Sequence, residues 1–413
     1  MYGTLALSHR ALDDLADSAG RDAIDELRSL ARPIEGLRVL NLSVTGFGTG
    51  TAELLNSSVP LMTDLGLDCS WQVVRTSEEF SHVTRAMYQA LGGVYVSWTQ
   101  EMTDTWLSYA AMNAGLLTEP FDVVIMHDPQ PAAIRSYVAD GGAKWLYHSH
   151  LDLSSAQDDV WMQLRQHIGQ FDAAIFETER FKREDNGNIK TYIVPPAIDP
   201  NSPRNMPLPD DVVRTVLERY GIDPEQPLVV QVSPCDAASD LMGAADACST
   251  LYEKFPGLQL AVILTTEPQD PQGRQCYDDL ARRCGEDHQI FVLNMGNEVG
   301  NVEVNVFQRA ADVIIQKGLR KGFGMWVSDA LWKERPCVVA PVGGLQEQVI
   351  DGQTGIVAHT NEEFAAGIEL LLKNRELAAR YGENGRRHVA RRFLITRYLR
   401  DYLQVLNALH RRS

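Results

Sequence analysis

Short apolar runs rich in β-branched residues alternate with longer helical patterns along this 413-residue chain. Alternation of this kind favours parallel sheets covered by helices, so we predict an α/β protein. The predicted strands cover residues 38–44, 69–74, 123–127, 145–150, 173–177, 191–194, 228–233, 258–264, 290–294, 313–316, 337–340 and 355–359. From Asn374 on, the pattern predicts helix.

A proline-dense passage, Pro-Pro-Ala-Ile-Asp-Pro-Asn-Ser-Pro at 195–203, interrupts the alternation. Because proline cannot continue a helix or a central strand, we interpret this passage as a linker. A chain of this length also exceeds one ordinary core. We therefore predict two doubly wound domains facing a cleft, at 1–197 and 208–391, with a C-terminal helix of about 392–413 packing back on the first. Ligands of such sheets bind beyond the carboxyl ends of the strands.

The formal net charge of −17 argues against nucleic acid or an anionic membrane as partner, since both need a basic surface. A small phosphorylated ligand stays open, because one pocket can be locally basic. The six cysteines show no Cys-x-x-Cys pair and predict thiols of a reducing compartment. The start lacks a basic segment followed by an apolar run, and no run approaches the roughly 18 apolar residues of a membrane span. These features predict a cytoplasmic protein.

Two loops of the first domain follow predicted strands. The first, at 46–53, contains Gly48, Gly50 and Glu53, and its glycines would let the backbone approach a ligand closely. The alternative is a tight turn packed under the next helix. The second is His127-Asp128-Pro129-Gln130-Pro131, whose polar residues we expect at the ligand edge. The alternative for Asp128 is a helix cap before proline.

A third loop carries His148-Ser149-His150-Leu151-Asp152. His150 is interpreted as a hydrogen-bond donor to a ligand hydroxyl or a pyrophosphate. A metal held by the His-x-His pair is disfavoured, because no further His or Cys lies nearby in sequence. A buried structural histidine remains a competing interpretation.

The second domain carries three comparable segments. The loop at 231–240 contains Pro234 and Ser239 but no Lys or Arg, so by itself it is a helix-entry loop. The segment at 317–333, Lys-Gly-Leu-Arg-Lys-Gly-Phe-Gly-Met-Trp-Val-Ser-Asp-Ala-Leu-Trp-Lys, places two glycines before a helix. Gly343 and Gly344 lie between a predicted strand and a helix, where a structural turn is the alternative.

Together these segments resemble the trehalose-forming retaining glycosyltransferases, from about residue 36 to residue 403. The most distinctive stretches are Val-Pro-Pro-Ala-Ile-Asp-Pro at 194–200 and Asp-Ala-Leu-Trp-Lys at 329–333. The resemblance implies the architecture called GT-B, with two Rossmann-like domains. It also implies transfer of a nucleotide-activated hexose to glucose, no metal or other cofactor, and a homodimer.

Site residues follow from the loops and from the resemblance. It implies that the glycine loop lies near the acceptor sugar, that His150 contacts the transferred sugar, and that Asp329 binds ribose hydroxyls. The predicted substrate-binding residues are Gly48, Gly50, Glu53, His127, Asp128, Gln130, Gly322, Phe323, Gly324, Asp329, Gly343 and Gly344, and the predicted catalytic residues are His150, Asp152 and Lys321.

Three positions depart from the family pattern. Pro234, Ser239 and Lys321 stand where the resemblance implies an arginine, a lysine and a glutamate. Losing one preorganised electrostatic contact commonly costs about 10²–10³ in rate.

Two main hypotheses follow. In the first, the chain is an active transferase to which Lys317, Arg320 and Lys321 offer replacement cations, although these residues also fit a solvated basic turn. In the second, it is a degenerate homologue with a sugar-binding, regulatory or scaffolding role. A pseudo-glycosyltransferase coupling a cyclitol, and a phosphorylase, rank lower because no residue favours either.

Overall fold

The computed structural model describes residues 3–265, 271–294, 299–319 and 322–411. The chain divides into two compact units, Met1–Pro196 with Ile395–Ser413 and Ala197–Leu394. Each unit contains a largely or wholly parallel sheet covered by helices, which confirms the predicted α/β class with two parallel-sheet domains.

The first unit is built on a sheet whose strands alternate with helices. Its strands are β1 (Gly3–Thr4), β2 (Arg38–Ser43), β3 (Asp68–Val73), β4 (Val123–His127), β5 (Lys144–Ser149), β6 (Ala173–Phe176) and β7 (Lys190–Ile193). The helices between them are α1 (Ala16–Ala19), α2 (Arg21–Ala31), α3 (Gly50–Asp64), α4 (Glu78–Leu91), α5 (Gln100–Ala114) and α6 (Asp158–Ile168). Among the described residues the strand order is β1-β3-β2-β4-β5-β6-β7, and β1 is antiparallel to β3.

The second unit repeats this alternation. Its strands are β8 (Leu228–Ser233), β9 (Gln259–Leu264), β10 (Ile290–Asn294), β11 (Val313–Gln316), β12 (Cys337–Val339) and β13 (Gly355–Val357). Its helices are α7 (Asp210–Arg219), α8 (Leu241–Ser249), α9 (Pro271–Glu286), α10 (Asn301–Ala310), α11 (Met325–Trp332), α12 (Leu345–Gln348), α13 (Asn361–Lys373) and α14 (Arg375–Arg392). Within the described ranges the strand order is β10-β9-β8-β11-β12-β13.

The strand orders locate the ligand edge of each sheet. In the first sheet the order reverses between β2 and β4, and in the second it reverses between β8 and β11. At such a switch point the loops after the two strands diverge to opposite faces and leave a crevice at the carboxyl ends. The central strands are buried on both faces, which explains their near-continuous apolar sequence.

The twelve predicted strands are confirmed, with ends that differ by at most two residues. Strand β1 was not predicted, because its two residues carry no periodic pattern. Short 3₁₀ segments occur at Leu12–Leu15, Arg32–Ile34, Ala132–Tyr137, Glu179–Phe181 and Ala237–Ser239.

The last helix, α15 (Ile395–His410), belongs to the first unit and packs against α2. Asn407 donates from its side-chain nitrogen to the Leu30 carbonyl at 2.9 Å. Arg397 donates to the carbonyl oxygens of Pro195 and Pro196 at 2.8 and 2.9 Å. These bonds join α15 to the last turn of α2 and to the passage that follows β7.

The six cysteines all lie within the described ranges and are free thiols. In the described part of the chain, no helix combines the length and apolar character needed to cross a membrane.

Helix α14 lies close to the end of α11 through two glycines. A Cβ atom on Gly382 would lie 2.0 Å from the carbonyl oxygen of Glu334, and one on Gly385 would lie 2.6 Å from the Leu331 side chain. Glu334 itself has a left-handed backbone, with φ of 61°. The close approach therefore involves a main-chain atom that has little freedom to move.

We expect Gly382→Ala to lower the free energy of unfolding by about 1–3 kcal/mol, because the added methyl overpacks this contact. Urea unfolding would measure the change. The matched control is Gly285→Ala on the exposed side of α9, where a Cβ would meet nothing within 4 Å. That change should be neutral or stabilising by about 0.5–1 kcal/mol, since alanine favours helix. Equal effects of the two substitutions would contradict the close packing.

Candidate functional site

Four neighbouring strands of the first sheet bring polar side chains together at its carboxyl edge. Asn41 lies in β2, His127 ends β4, His150 follows β5, and Glu177 follows β6. Asn41 Oδ1 lies 3.1 Å from His127 Nε2, and His127 Nδ1 lies 3.1 Å from His150 Nε2. His150 Nδ1 lies 3.0 Å from Glu177 Oε1. A continuous hydrogen-bonded chain, which we call the edge chain, therefore crosses β2, β4, β5 and β6.

Burial and charge act differently on the two histidines of the edge chain. Burial, with a smaller contribution from neighbouring His150, lowers the pKa of His127 well below its ordinary value. Burial also lowers the pKa of His150, but the negative charges of Asp128 and Glu177 outweigh it, so the pKa of His150 is raised. The His150 side chain is 8% exposed. The surroundings of His150 therefore favour its protonated form more than water does, although the side chain is almost inaccessible to solvent.

Asp128 connects the edge chain to the glycine loop. Its backbone is left-handed, with φ of 69°, and its Oδ1 accepts from the His150 backbone N–H at 2.9 Å. Its Oδ2 accepts from the Thr51 hydroxyl at 3.2 Å. A non-glycine residue in this conformation is uncommon, and such residues cluster at functional sites. The structure therefore brings the two predicted loops together at the β2–β4 switch point.

The glycine loop ends in a capped helix. Gly48 has φ of 74°, and the Thr49 hydroxyl accepts from the Ala52 N–H at 3.1 Å as the cap of α3. Gly50 begins α3, and Glu53 lies half-buried in its first turn. The N-terminus of α3 consequently lies at the switch point, where backbone N–H groups can face an anion or a hydroxyl.

Two other predicted residues are placed as follows. The main-chain oxygen of Gln130 accepts from Trp106 Nε1 at 2.8 Å, while its side-chain Oε1 is buried without a hydrogen-bond partner among the described residues. Asp152 Oδ1 accepts from the Ser154 N–H at 3.0 Å and so shapes its own loop. Gln130 offers an acceptor to a ligand, whereas the hydrogen bond of Asp152 is local.

The histidines His127, His148 and His150 each have a ring nitrogen within 4.8 Å of the others, which raises the question of a metal. The His127 and His150 rings are 14° from parallel, and their centres lie 5.4 Å apart. For two imidazole rings whose nearest nitrogens are 3.1 Å apart, this is about the longest possible distance between the ring centres. The two nitrogens therefore point straight at each other, as in an N–H···N bond. The His148 ring lies over His150 with centres 4.0 Å apart, and its Nδ1 bonds the Tyr402 hydroxyl. Coordination needs lone pairs that converge on one point, so this geometry favours hydrogen bonding.

At the switch point of the second sheet, Lys317 follows β11 and its ammonium pairs with Asp240 in the loop after β8. The Lys317 side chain is 10% exposed, and its backbone N–H donates to Gln231 Oε1 at 3.2 Å. In that loop Pro234 is half-buried, and the Ser239 hydroxyl donates to Asp236 at 2.8 Å. Lys317 thus brings a cation to a loop that has none in its own sequence.

Glycines bring two loops of the second unit into contact. The Gly344 N–H donates to the Gly322 carbonyl at 3.2 Å, and a Cβ on Gly344 would lie 2.9 Å from the Phe323 Cα. Gly324 directly precedes α11 with φ of 75°, and Gly343 has φ of 53°. Phe323 is buried and contacts the Phe393 ring. The predicted residues 322–324 and 343–344 therefore form one packed surface.

Asp329 is 1% exposed, and its carboxylate faces protein groups. Oδ1 accepts from Asn205 Nδ2 at 2.7 Å, and Oδ2 lies 3.5 Å from the Arg204 guanidinium. Lys333 donates to Asn205 Oδ1, Gln308 Oε1 and the Asp329 carbonyl at 2.8, 2.9 and 3.0 Å. Binding to a ribose stays a prediction for Asp329, whose Oδ2 is buried and has no hydrogen-bond partner among the described residues.

The remaining predicted cations, Arg320 and Lys321, lie outside the described residues. Sequence reasoning missed three residues that the structure adds: Asn41, Glu177 and Tyr402. Glu177 is the last residue of the predicted strand 173–177, as His127 is of the strand 123–127, so the signal that indicated His127 was present there too. Asn41 is an amide within an apolar strand, a weaker signal. Tyr402 lies 254 residues from His148, and nothing in the local sequence indicates that contact.

Comparison with known proteins assigns this chain to a family. Residues 41–183 match the family described as trehalose synthase, N-terminal domain, and residues 213–388 match glycosyl transferases group 1. The chain is 35% identical to the trehalose synthase of Thermococcus litoralis over 97% of both chains, and 36% identical to that of Rubrobacter xylanophilus over 96% of both. Among solved structures, a trehalose-6-phosphate protein from E. coli bound with UDP-2-fluoro glucose is 16% identical, with a TM-score of 0.71 over 90% of this chain and 98% of that one. The fold is that of GT-B glycosyltransferases, and the chain belongs to the trehalose synthase family of glycosyltransferases.

Proposed function

We propose that this protein transfers a hexose from a nucleotide-diphosphate sugar to glucose or a similar hydroxyl acceptor. The observation that carries the proposal is Lys317, a nearly buried ammonium at the switch point of the second sheet. A departing diphosphate needs positive charge in a preorganised, poorly solvated place, because electrostatic stabilisation is worth most there. The relatives at 35–36% identity are trehalose synthases, which supports the same substrate class.

The described residues divide the work of such a transfer. Lys317 would exchange Asp240 for a phosphate oxygen, and the 322–324 and 343–344 loops would line the sugar and phosphates with backbone groups. In the first unit, the α3 N-terminus and the edge chain would hold hydroxyls of the two sugars. No step is assigned to Asp152 or Lys321, whose predicted catalytic roles stay predictions.

We expect the purified full-length chain to form a disaccharide from glucose and at least one glucose donor carrying uridine, adenosine, guanosine or thymidine diphosphate. Product formation would be followed by chromatography, with released nucleotide as the second readout. A reaction without acceptor controls for donor hydrolysis. No product from any donor would contradict the proposal.

A second candidate function is sugar binding without turnover, as in a degenerate homologue with a regulatory or scaffolding role. Two observations favour it: the loop after β8, with Pro234 and Ser239, has no Lys or Arg, and the carboxylate of Asp329 faces inward. This function implies no turnover and weak binding of nucleoside diphosphates in calorimetry. Tight, magnesium-independent binding of a nucleotide sugar would count against it.

Lys317→Ala should weaken the binding of a nucleoside diphosphate by about 10- to 100-fold, the usual worth of one charge-assisted contact. Asp240→Asn should preserve or strengthen binding, because it removes the carboxylate that competes with the phosphate. The matched control is Lys254→Ala, whose ammonium pairs with Glu369 and is 54% exposed. Calorimetry would measure all three variants. Equal affinities for Lys317→Ala and the wild type would remove Lys317 from the site.

A homodimer and a cytoplasmic location remain proposals from the sequence. Light scattering of the purified chain and localisation of a tagged chain in cells would check them.

A further inference from the structure

The hydrogen-bond partners within the edge chain determine which of its ring nitrogens carry protons, and Asn41 determines the first of these positions. The Asn41 amide nitrogen donates to the Ser70 carbonyl at 3.3 Å, so its oxygen faces His127. An amide oxygen only accepts, and His127 Nε2 must therefore carry a proton. Because burial disfavours a second proton on His127, its Nδ1 is a lone pair that accepts from His150 Nε2.

The other nitrogen of His150 faces the Glu177 carboxylate at 3.0 Å. A carboxylate accepts, so Nδ1 also carries a proton. We propose that His150 rests as an imidazolium, held doubly protonated by Glu177 and by the Asn41–His127 pair, and that it serves a bound sugar as a cationic hydrogen-bond donor and not as a base. The role toward a sugar rests on the proposed function, whereas the protonation state is independent of it.

The other titratable groups around His150 agree with a single cation, His150 itself, that lies beside the carboxylates of Asp128 and Glu177. Burial lowers the pKa of His148 well below its ordinary value, so this ring is neutral, and it bonds the Tyr402 hydroxyl. Burial raises the pKa of each surrounding tyrosine, and these hydroxyls are also neutral. The titratable groups that face this region are His127 and Asp128 after β4, Tyr147 and His148 of β5, Glu177 after β6, Tyr88 of α4, and Tyr398 and Tyr402 of α15.

This arrangement limits what His150 can do. Neither ring nitrogen has a free lone pair, so the side chain cannot take a proton from an acceptor hydroxyl. A ligand oxygen can bind it by replacing His127 Nδ1 as acceptor of the Nε2–H, while Glu177 keeps the Nδ1–H. Asn41, His127 and Glu177 are then positioning residues that act through His150.

The pH dependence follows from the raised pKa of His150. A group whose pKa is higher in the folded protein stabilises it fully below the unfolded value, and that stability is lost as pH rises through the folded value. The imidazolium should therefore persist above the ordinary histidine pKa of about 6.5 and disappear on the alkaline side.

The experiment is ring-nitrogen NMR of the full chain labelled with ¹⁵N-histidine, titrated with pH in the absence of substrate. His150→Gln assigns the His150 signals. We expect two protonated ring nitrogens at pH 7 and loss of one proton only at higher pH. Glu177→Gln should move that transition down by about one pH unit or more, since one opposite charge typically shifts a pKa by that amount.

The matched control is Tyr402→Phe, which removes a hydroxyl bonded to His148 and leaves the bonds of His150 intact. It should leave the His150 transition unchanged. A singly protonated His150 at pH 7, or the same transition in Glu177→Gln as in the wild type, would overturn the proposal. Should Glu177→Gln not fold, the wild-type titration still decides the protonation state.

Zinc and activity give two further readouts. Zn²⁺ alone should leave the thermal unfolding midpoint unchanged, and a rise that His150→Gln abolishes would assign the three histidines to a metal and overturn the proposal. If transfer is observed, kcat/KM should fall on the alkaline side at the NMR transition, and Glu177→Gln should shift both together. Unchanged activity across that transition would overturn the role toward the sugar. Absence of transfer contradicts the proposed function and leaves the NMR result standing.

Discussion

Parallel strand pairing is the constraint on which both units depend. In a parallel sheet all carboxyl ends share one edge, so residues distant in sequence arrive at the same place whenever each follows a strand. Four consecutive strands of the first sheet contribute to one hydrogen-bonded chain: Asn41 lies within β2, His127 ends β4, and His150 and Glu177 follow β5 and β6. In the second sheet the same constraint brings Lys317 to the loop after β8.

At both sheet edges, buried charged groups are paired with other groups of the protein. At the first edge, the His150 backbone N–H donates to Asp128 and the His150 ring bonds to Glu177. At the second edge, Lys317 lies against Asp240, and Asp329 lies against Asn205 and Arg204. An unpaired buried charge would cost several kcal/mol, and each of these charged groups has a protein partner.

The charge at the second sheet edge comes from more than one strand. The loop after β8 has no Lys or Arg of its own, but Lys317, which follows the neighbouring strand β11, pairs with its Asp240. Lys321 belongs to residues that the structure does not describe. Charge at a site of this kind therefore has to be counted in space, because loops far apart in sequence contribute to it together.

The sequence by itself determined the α/β class, twelve of the strands, the glycine-bearing loops and the family, because periodicity, turn chemistry and local motifs are short-range properties. It also indicated His127, Asp128 and His150 as candidate site residues, since polar residues at the ends of buried strands are a local signal. Only the tertiary structure decided which of these groups touch. Glu177 meets His150, Tyr402 meets His148 across 254 residues, and Asn205 takes the carboxylate of Asp329 across 124 residues. Those contacts depend on strand order and helix packing, which no local pattern encodes.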